Sequence, residues 1–437
     1  MGKTMSDLLI IGALLLGTLL VLYAIGVPVA VAMGATSVIV MISPYGNGLN
    51  YNIIAQQMLY GVNSFTLLAI PFYLLLGRLM NRIGMTHRIF DLANSAVGQF
   101  RGGLAQVNVV ASMIFSGMSG LAVADAAGLG RVEYAAMRDQ GYEKDISLGV
   151  TGASSIIGPI IPPSVPIIIY AVLAEQSIGE MFLGGIIPGV LMGLFLMMMV
   201  FIIVHSRGYE TEDSFSLSDF WMNLKAAVFP LFAPILIVGG ILTGLFTATE
   251  AGAIAVVYSI LLGFFVYNEL TIRELIEELK FGMLETFSLT FIIGIASLYG
   301  LIALQLGLPN LIANSIMNFT TEPTMVMILL VLLLLVVGTF METIAAITVL
   351  VPILMPVVDI AGIDPIHFGI VMILTLMLGL LTPPFGVILF VLEKVTDATL
   401  EEVMKAVLPY YIPILLVLVT TIFIPKVILY PATSLAG

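Results

Sequence analysis

Two short segments combine residues that open a helix inside apolar surroundings: GPIIPPS (158–164) and GLLTPPFG (379–386). Each reads Gly-x-x-x-Pro-Pro. Proline lacks a backbone N–H and clashes with the carbonyl four residues earlier, while glycine lets the chain leave helical geometry. A carbonyl freed in this way is costly in lipid unless a partner satisfies it, and a bound cation can do so. A single proline would favour a kink relieved by neighbouring helices, but the duplication favours two cation sites.

Oxygen-bearing side chains lie upstream of each segment. Ser116 and Ser119 belong to FSGMSGLAVADAAGLG (115–130), and VGTFMETIAAITVL (337–350) carries Thr339, Glu342 and Thr343. Oxygen ligands without His or Cys suit hard cations. Sodium is the simplest candidate for such a site, and composition leaves protons open as an alternative.

Two acidic residues, Asp125 and Glu342, lie within or beside apolar runs. An ionisable group in such a position is expected to be functional, because burying it unpaired is expensive. The alternative is that each caps the N-terminus of a half-helix. The sequence leaves both roles open, and they are compatible.

The two halves of the chain resemble each other. A shift of 221 residues aligns glycines, a valine and the double prolines of the two halves without a gap. The aligned residues are Gly117 with Gly338, Gly158 with Gly379, Val150 with Val371, and Pro162-Pro163 with Pro383-Pro384. This register predicts an internal repeat. Duplicated halves with matching Gly/Pro-broken segments are typical of secondary transporters, whose binding site lies between the halves.

The composition places this chain in a membrane. Of its 437 residues 60% are hydrophobic and 10% are charged, whereas soluble domains carry about 25% charged residues. Apolar runs, too long and too continuous for barrel strands, predict an all-α polytopic protein with room for about a dozen membrane segments. We interpret residues 8–25 as the first span rather than as a removed signal peptide.

Several function classes are excluded by the same inventory. The chain has no cysteine, and His87, His205 and His367 are far apart, which argues against thiolate or histidine metal centres. The net charge of −12 argues against nucleic-acid binding. Nucleophile-elbow, phosphate-loop and His-Glu-x-x-His signatures are absent from the sequence, so an enzyme is not expected.

Basic residues cluster on both sides of one apolar run. Arg78 to Arg101 precede the run 104–124, and Arg131 to Lys144 follow it. Loops rich in Lys and Arg tend to be cytoplasmic. If both clusters are cytoplasmic, the run enters the membrane and returns, and the sequence predicts a re-entrant hairpin.

The chain resembles the large membrane (M, or DctM-type) subunit of tripartite ATP-independent periplasmic (TRAP) transporters nearly from end to end. The segments that carry the resemblance are IPFYLLLGRLMNRIG (70–84), FSGMSGLAVADAAGLG (115–130), GYEKDISLGVTGASSIIGPIIPPSVPIIIYAV (141–172), GLFTATEAGAIAVVY (244–258), GTFMETIAAITVLVPILMPV (338–357) and GLLTPPFGVILFV (379–391).

This resemblance implies an elevator-type transporter of the bacterial inner membrane, with two inverted repeats, two re-entrant hairpins and discontinuous helices. It implies sodium-coupled import of an organic acid of the C4-dicarboxylate or sialic acid type. A periplasmic substrate-binding protein and a separate small membrane subunit are the expected partners. A stand-alone ion-coupled carboxylate carrier of a related superfamily is the alternative.

The expected organisation has three parts. Residues 1–204 form the first repeat half, with hairpin 1 and a broken helix over 146–173. Residues 205–267 form a central polar connection with scaffold helices. Residues 268–437 form the second repeat half, with hairpin 2 around 324–358 and a broken helix over 366–392.

The resemblance also assigns site residues. The first sodium site would use Ser116, Ser119, Gly158, Ile161 and Pro163. The second would use Gly338, Gly379, Thr382 and Pro384. Substrate would lie between the hairpin tips, near Ser119, Ser164 and Glu342, and the oxygens of Thr339 and Asp125 complete the predicted substrate set. Leu121 stands where many relatives carry a small polar residue.

Overall fold

The computed structural model describes residues 10–44, 52–209 and 215–434, apart from the side chain of Ser119, and in these ranges the chain is helical and contains no strand. The predicted all-α class is confirmed. Residues 8 and 9 of the first predicted span, and residues 210–214 of the central polar connection, lie outside the described part.

The first half contains eleven helices within the described ranges. They are α1 (Ile10–Ala24), α2 (Val29–Ile42), α3 (Ile53–Val62), α4 (Ala69–Arg82), α5 (Met85–Val97), α6 (Gly103–Ser119), α7 (Ala122–Ala127), α8 (Leu129–Asp139), α9 (Lys144–Ser155), α10 (Val165–Leu173) and α11 (Ile178–Ser206).

The second half contains eleven more in the described part of the chain. They are α12 (Leu217–Leu242), α13 (Ala248–Leu261), α14 (Ile272–Leu306), α15 (Leu308–Met317), α16 (Pro323–Phe340), α17 (Thr343–Ile360), α18 (Pro365–Leu381), α19 (Val387–Val395), α20 (Leu400–Val407), α21 (Tyr411–Phe423) and α22 (Lys426–Ser434).

The helix bounds recur at the 221-residue offset that the glycines and prolines indicated. Helix α6 corresponds to α16, α7 with α8 to α17, α9 to α18, and α10 to α19, each within a few residues except at the C-terminus of α18. Even the pair α3–α4 has a counterpart in α14. The peptide bonds Pro162-Pro163 and Pro383-Pro384 are both cis.

The offset also pairs α2 with α13, which lies before residue 268. The three-part division at residues 204 and 267 stays a prediction. The helix correspondence favours a second repeat that already includes α13.

Seven described helices are long and apolar enough to cross a membrane, and the bent pair Ile53–Val62 and Phe65–Arg82 makes an eighth candidate. Their number is smaller than the predicted dozen because several apolar runs form shorter helices of 10–17 residues, among them Gly103–Met118 and Pro365–Leu381. The chain is nonetheless a multi-pass membrane protein by length and composition of its helices.

Helix α14 is much longer than its apolar run, 284–304. It starts at Ile272 because Thr271 and Glu274 form a capping box, in which the threonine hydroxyl accepts from the Glu274 N–H and the Glu274 carboxylate accepts from the Thr271 N–H. Its charged first turns pair with arginines of α4, through Arg82–Glu274 and Arg78–Glu278. Hydropathy alone therefore detects only the second part of this helix.

Two helical hairpins follow from the breaks between helices. Helix α6 ends at Ser119, and the chain turns through Gly120 and Leu121 before α7 and α8 run back along α6. Helix α16 ends at Phe340, and Met341 and Glu342 are extended before α17 begins. Re-entry of these hairpins into a membrane stays a prediction, because the helix packing alone does not place them relative to a bilayer.

Candidate functional site

The tip of hairpin 1 rests directly on the first Gly-x-x-x-Pro-Pro break. Gly120 has a φ of +59°, and a Cβ at this position would lie 2.8 Å from the carbonyl oxygen of Pro163. A side chain here would combine left-handed backbone strain with a clash against main chain. Ser164 stabilises the broken segment through two local hydrogen bonds. Its hydroxyl donates to the Pro159 carbonyl at 2.5 Å and accepts from the Ile167 N–H at 3.2 Å.

The tip of hairpin 2 rests on the second break in the equivalent way. A Cβ on Gly379 would lie 2.6–2.9 Å from backbone atoms of Gly338, so the two main chains touch. The N–H of Gly386 donates to the carbonyl of Thr339 at 3.2 Å. Each hairpin tip is thereby joined to its own broken helix.

A cavity of about 430 Å³, the central cavity, lies between these parts. Its walls come from both hairpin tips, both broken segments, and helices α4 and α14. The lining residues are Leu74, Leu121, Ala122, Val123, Pro159, Pro166, Leu284, Glu285, Ser288, Leu289, Glu342, Thr343, Ile344, Met377 and Leu380. No Lys, Arg or His is among these lining residues, although two glutamates are.

Two helix N-termini open onto the central cavity through Pro166 of α10 and through Thr343 and Ile344 of α17. Helix N-termini favour anions because of their free N–H groups and their dipole. The Thr343 hydroxyl is buried and has no hydrogen-bond partner in the described structure. The N–H groups of Ile344 and Ala345 already donate to the Glu342 carboxylate, and that of Ile167 to the Ser164 hydroxyl. The helix dipoles and the Thr343 hydroxyl are therefore what the cavity offers an anion.

The residues of the first predicted sodium site are brought together. Two of these residues, Gly158 and Pro163, lie where hairpin 1 contacts its break. A Cβ added to Gly158 would lie 3.8 Å from the backbone of Leu121, and Pro163 contacts Gly120. The Ser116 hydroxyl is buried and donates to the Ser112 carbonyl at 2.5 Å. Ile161 packs against Gly189 of α11. Of Ser119 only the backbone, at the end of α6, is described.

The residues of the second predicted sodium site also cluster at one contact. Gly338 and Gly379 touch, and the Thr382 hydroxyl donates to the Leu378 carbonyl at 2.7 Å. Pro384 follows two residues later and is exposed, whereas Pro163 is buried. Both sets are therefore local, and their role as sodium ligands stays a prediction.

The residues of the predicted substrate set do not share one location. Glu342 lines the central cavity. Ser164 is completely buried, and its hydroxyl is used within the break. The Thr339 hydroxyl donates to the Val336 carbonyl at 2.7 Å. Asp125, on the returning part of hairpin 1, is 1% exposed. Among the described side chains of this set, Glu342 alone lines the central cavity.

Helix α14 supplies site residues that we did not predict, Glu285 and Ser288. Glu285 also lines a neighbouring cavity of about 580 Å³, the arginine-side cavity, whose walls include Arg78 and Arg82. Leu74 and Leu121 line both cavities. Glu285 was detectable, because it stands at the start of an apolar run, where an acid is unusual.

The family model of the tripartite ATP-independent periplasmic transporter, DctM component, matches residues 16–427. This chain belongs to the DctM family of TRAP transporters. The predicted resemblance is confirmed, and the DctM-type chain is a transporter permease subunit, not an enzyme.

Relatives of this DctM-type permease differ in the substrate that they are named for. A sialic acid TRAP transporter large permease protein of Vibrio cholerae is 43% identical over 92% of this chain and 93% of its own length. A C4-dicarboxylate TRAP transporter large permease protein of Pseudomonas aeruginosa is 37% identical over 83% and 85%. The YdaH transporter of Alcanivorax borkumensis shares the fold, with a TM-score of 0.62 at 14% identity, over 90% of this chain and 91% of its own.

The two open roles of Glu342 can now be separated. Its carboxylate accepts from the N–H groups of Ile344 and Ala345, at 2.9 and 3.2 Å, and so caps α17. We expect Glu342→Ala to destabilise the purified protein by about 1 kcal/mol through loss of this cap. Glu342→Gln retains an oxygen acceptor and should keep most of that stability. Thermal unfolding in detergent measures both, and equal losses in the two variants would contradict the capping role.

Proposed function

We propose that this permease subunit imports an organic acid across the bacterial inner membrane, coupled to sodium entry, by an elevator-type movement. One observation carries the proposal: two hairpin tips, each resting on its own Gly-x-x-x-Pro-Pro break, enclose a single central cavity. Broken helices meeting near a repeat axis are the usual site of substrate and coupling ion in secondary transporters.

We propose that each break binds one coupling cation. Main-chain oxygens gather where the glycines permit close contact, as at Gly338 and Gly379, and hydroxyls of Ser116 and Thr382 lie nearby. Oxygen ligands of this kind suit sodium. Groups of three or more His, Cys, Asp or Glu side chains that could hold a metal ion do not occur in the described ranges.

The cavity supports an anionic substrate. The dipoles of α10 and α17 and the unpartnered Thr343 hydroxyl favour an anion, and no basic side chain is among the lining residues. Relatives named for sialic acid and for C4-dicarboxylates make an organic acid the expected substrate class. We propose that a periplasmic binding protein delivers it and that a small membrane subunit holds the permease, since TRAP transporters are tripartite by name.

Reconstitution tests the proposal. The permease, its small subunit and its binding protein are placed in proteoliposomes, and uptake of the acid that the binding protein retains is followed with a sodium gradient or with potassium in its place. Uptake should require all three proteins and sodium. Equal uptake by the permease alone, with potassium replacing sodium, would overturn it.

A further inference from the structure

The returning part of hairpin 1 carries two acidic side chains that the predicted sodium sites do not use, Asp125 on α7 and Glu133 on α8. Each is 1% exposed. All four of their carboxylate oxygens are buried and have no hydrogen-bond partner in the described structure. The two carboxylates also act on each other electrostatically.

Among the described residues, neither acid takes part in an ion pair. Arg78 and Arg82 of α4, which line the arginine-side cavity beside α7, pair with glutamates of α14. On α8, Arg131 is exposed and Arg138 donates to the Tyr142 carbonyl. On the neighbouring α9, Lys144 binds Glu402 at 3.1 Å, and on α19 Lys394 is exposed. Two adjacent buried carboxylates without a counter-charge are costly, and such groups in membrane proteins mark ion or proton pathways.

Uncharged polar side chains lie on the helices that pack against the pair. The Ser112 hydroxyl of α6 lies beside the Asp125 carboxylate, outside hydrogen-bond geometry. A Cβ on Gly130 would lie 2.8 Å from the Thr151 methyl group, so α9 packs against the segment between the two acids. Thr151 accepts from Asn108 at 2.8 Å, and Ser154 donates to Asn108 at 2.6 Å. Helices α6 to α9 thus pack together and each carries buried polar side chains.

We infer that Asp125 and Glu133 together bind one monovalent cation, either Na⁺ or H⁺, separately from the two predicted sodium sites. Either cation lowers the negative charge of the pair by one, and each carboxylate needs the other to make the site. This inference rests on the proposed function, because it adds one coupling ion to the same transport cycle. Ser112 connects the acid pair with the first predicted sodium site, since its carbonyl accepts from the Ser116 hydroxyl.

The test measures the coupling number of each cation, which is the number of ions that enter with one substrate molecule. It uses proteoliposomes that hold the complete three-component transporter. Reversal potentials are recorded while the Na⁺ and H⁺ gradients are varied independently. The variants are Asp125→Asn, Glu133→Gln and both together, with Asp139→Asn as the control, because Asp139 is an exposed acid on α8. Each single variant should couple one cation fewer, and the double variant should lose no more than either single one.

The gradient whose coupling number falls identifies the cation as Na⁺ or H⁺. With an about tenfold gradient of that cation, the limiting accumulation of substrate should fall by about tenfold, as one lost coupled ion requires. Unchanged coupling numbers in active acid-pair variants would overturn the inference, while sodium-dependent uptake would still support the proposed function.

A second measurement covers the case in which the variants do not fold. Purified wild-type permease is titrated with Na⁺ at neutral pH by isothermal calorimetry, and its infrared spectrum is recorded at the same pH without Na⁺. The inference requires either more than two bound Na⁺ or the carbonyl band of a protonated carboxyl, because exposed carboxylates are ionised at neutral pH. Two Na⁺ and no such band would overturn it.

Discussion

Gly379→Ala should abolish uptake and lower the melting temperature of the purified permease. The added Cβ would lie 2.6 Å from the Gly338 carbonyl carbon, 2.7 Å from its Cα and 2.9 Å from its oxygen. Real Cβ atoms do not approach main chain so closely, and backbone cannot swing aside as a flexible side chain can. Helix α16 must therefore move away from α18, which separates hairpin 2 from its break.

The geometry also ranks related variants. A Cβ on Gly338 would lie 3.3 Å from the Cα atoms of Gly379 and Leu376, so Gly338→Ala needs a smaller displacement. Gly239, on α12, has nothing within 4 Å of its virtual Cβ and serves as the control. Overpacking costs about 1–3 kcal/mol in well-packed interiors. We expect the largest loss for Gly379→Ala, a smaller loss for Gly338→Ala and none for Gly239→Ala.

Uptake and thermal unfolding are measured on the same preparations. A Gly379→Ala protein that matches Gly239→Ala in both would show that hairpin 2 does not sit on its break as described. A stable but inactive Gly379→Ala protein would separate the site from the fold, because a displaced hairpin could remain folded while its oxygens lose their arrangement.

The internal repeat was predictable because it depends on glycines and prolines, which other residue types can seldom replace at close contacts and helix breaks. Glycines at close contacts and double prolines keep their spacing, so the 221-residue offset found from Gly158 and Gly379 also sets the helix bounds. A helical turn at residues 119–122 agrees with the hairpin predicted from two basic clusters around one apolar run, and its re-entry into the membrane stays a prediction. These signals are local, and tertiary packing does not override them.

The orientation of individual side chains was less predictable. Ser164 and Glu342 look alike in sequence, as oxygen-bearing residues beside a break. Ser164 turns inward to the Pro159 carbonyl, whereas Glu342 caps α17 at the cavity wall. Which one faces the cavity depends on the packing between the two repeats, and the sequence pattern of one segment does not contain that information.

Amphipathic helices were missed for a different reason. Helices α5, α8 and α15 lack the long apolar stretch of a span, so the apolar runs do not include them. Glu133 lies on α8 and was overlooked with it. Its pairing with Asp125 becomes visible only when α7 and α8 fold back against α6 and α9.

Arg78 gives the second large effect. Its Nε donates to Glu278 at 2.9 Å and its Nη1 to Glu285 at 2.8 Å, so one guanidinium holds two glutamates. Its ring neighbour is Phe281, whose centroid lies 5.1 Å from the guanidinium carbon. Glu285 lines the central cavity and the arginine-side cavity, and Glu278 lines the latter. Removing Arg78 leaves two uncompensated negative charges beside the space that an anionic substrate would cross.

We expect Arg78→Gln to lower the uptake rate by about tenfold or more, since like charges placed together cost several kcal/mol where water is partly excluded. Arg78→Lys keeps the charge but loses the fork that reaches both acids, so its loss should be smaller. Adding Glu285→Gln to Arg78→Gln removes one of the exposed charges and should restore part of the rate.

The matched control is Arg273→Gln, because Arg273 also pairs with a glutamate of α14, Glu277, but its side chain is 89% exposed. Exposed pairs of this kind contribute little, so this variant should transport normally. Initial uptake rates in proteoliposomes, with the melting temperature of each variant beside them, decide the result. If Arg78→Gln transports as well as Arg273→Gln, the charge of Glu285 does not act on the substrate path. If Arg78→Gln with Glu285→Gln transports faster than Arg78→Gln alone, the loss of uptake rate is electrostatic. Glu285→Gln restores no contact that the arginine had made, so only the removed charge can explain a recovered rate.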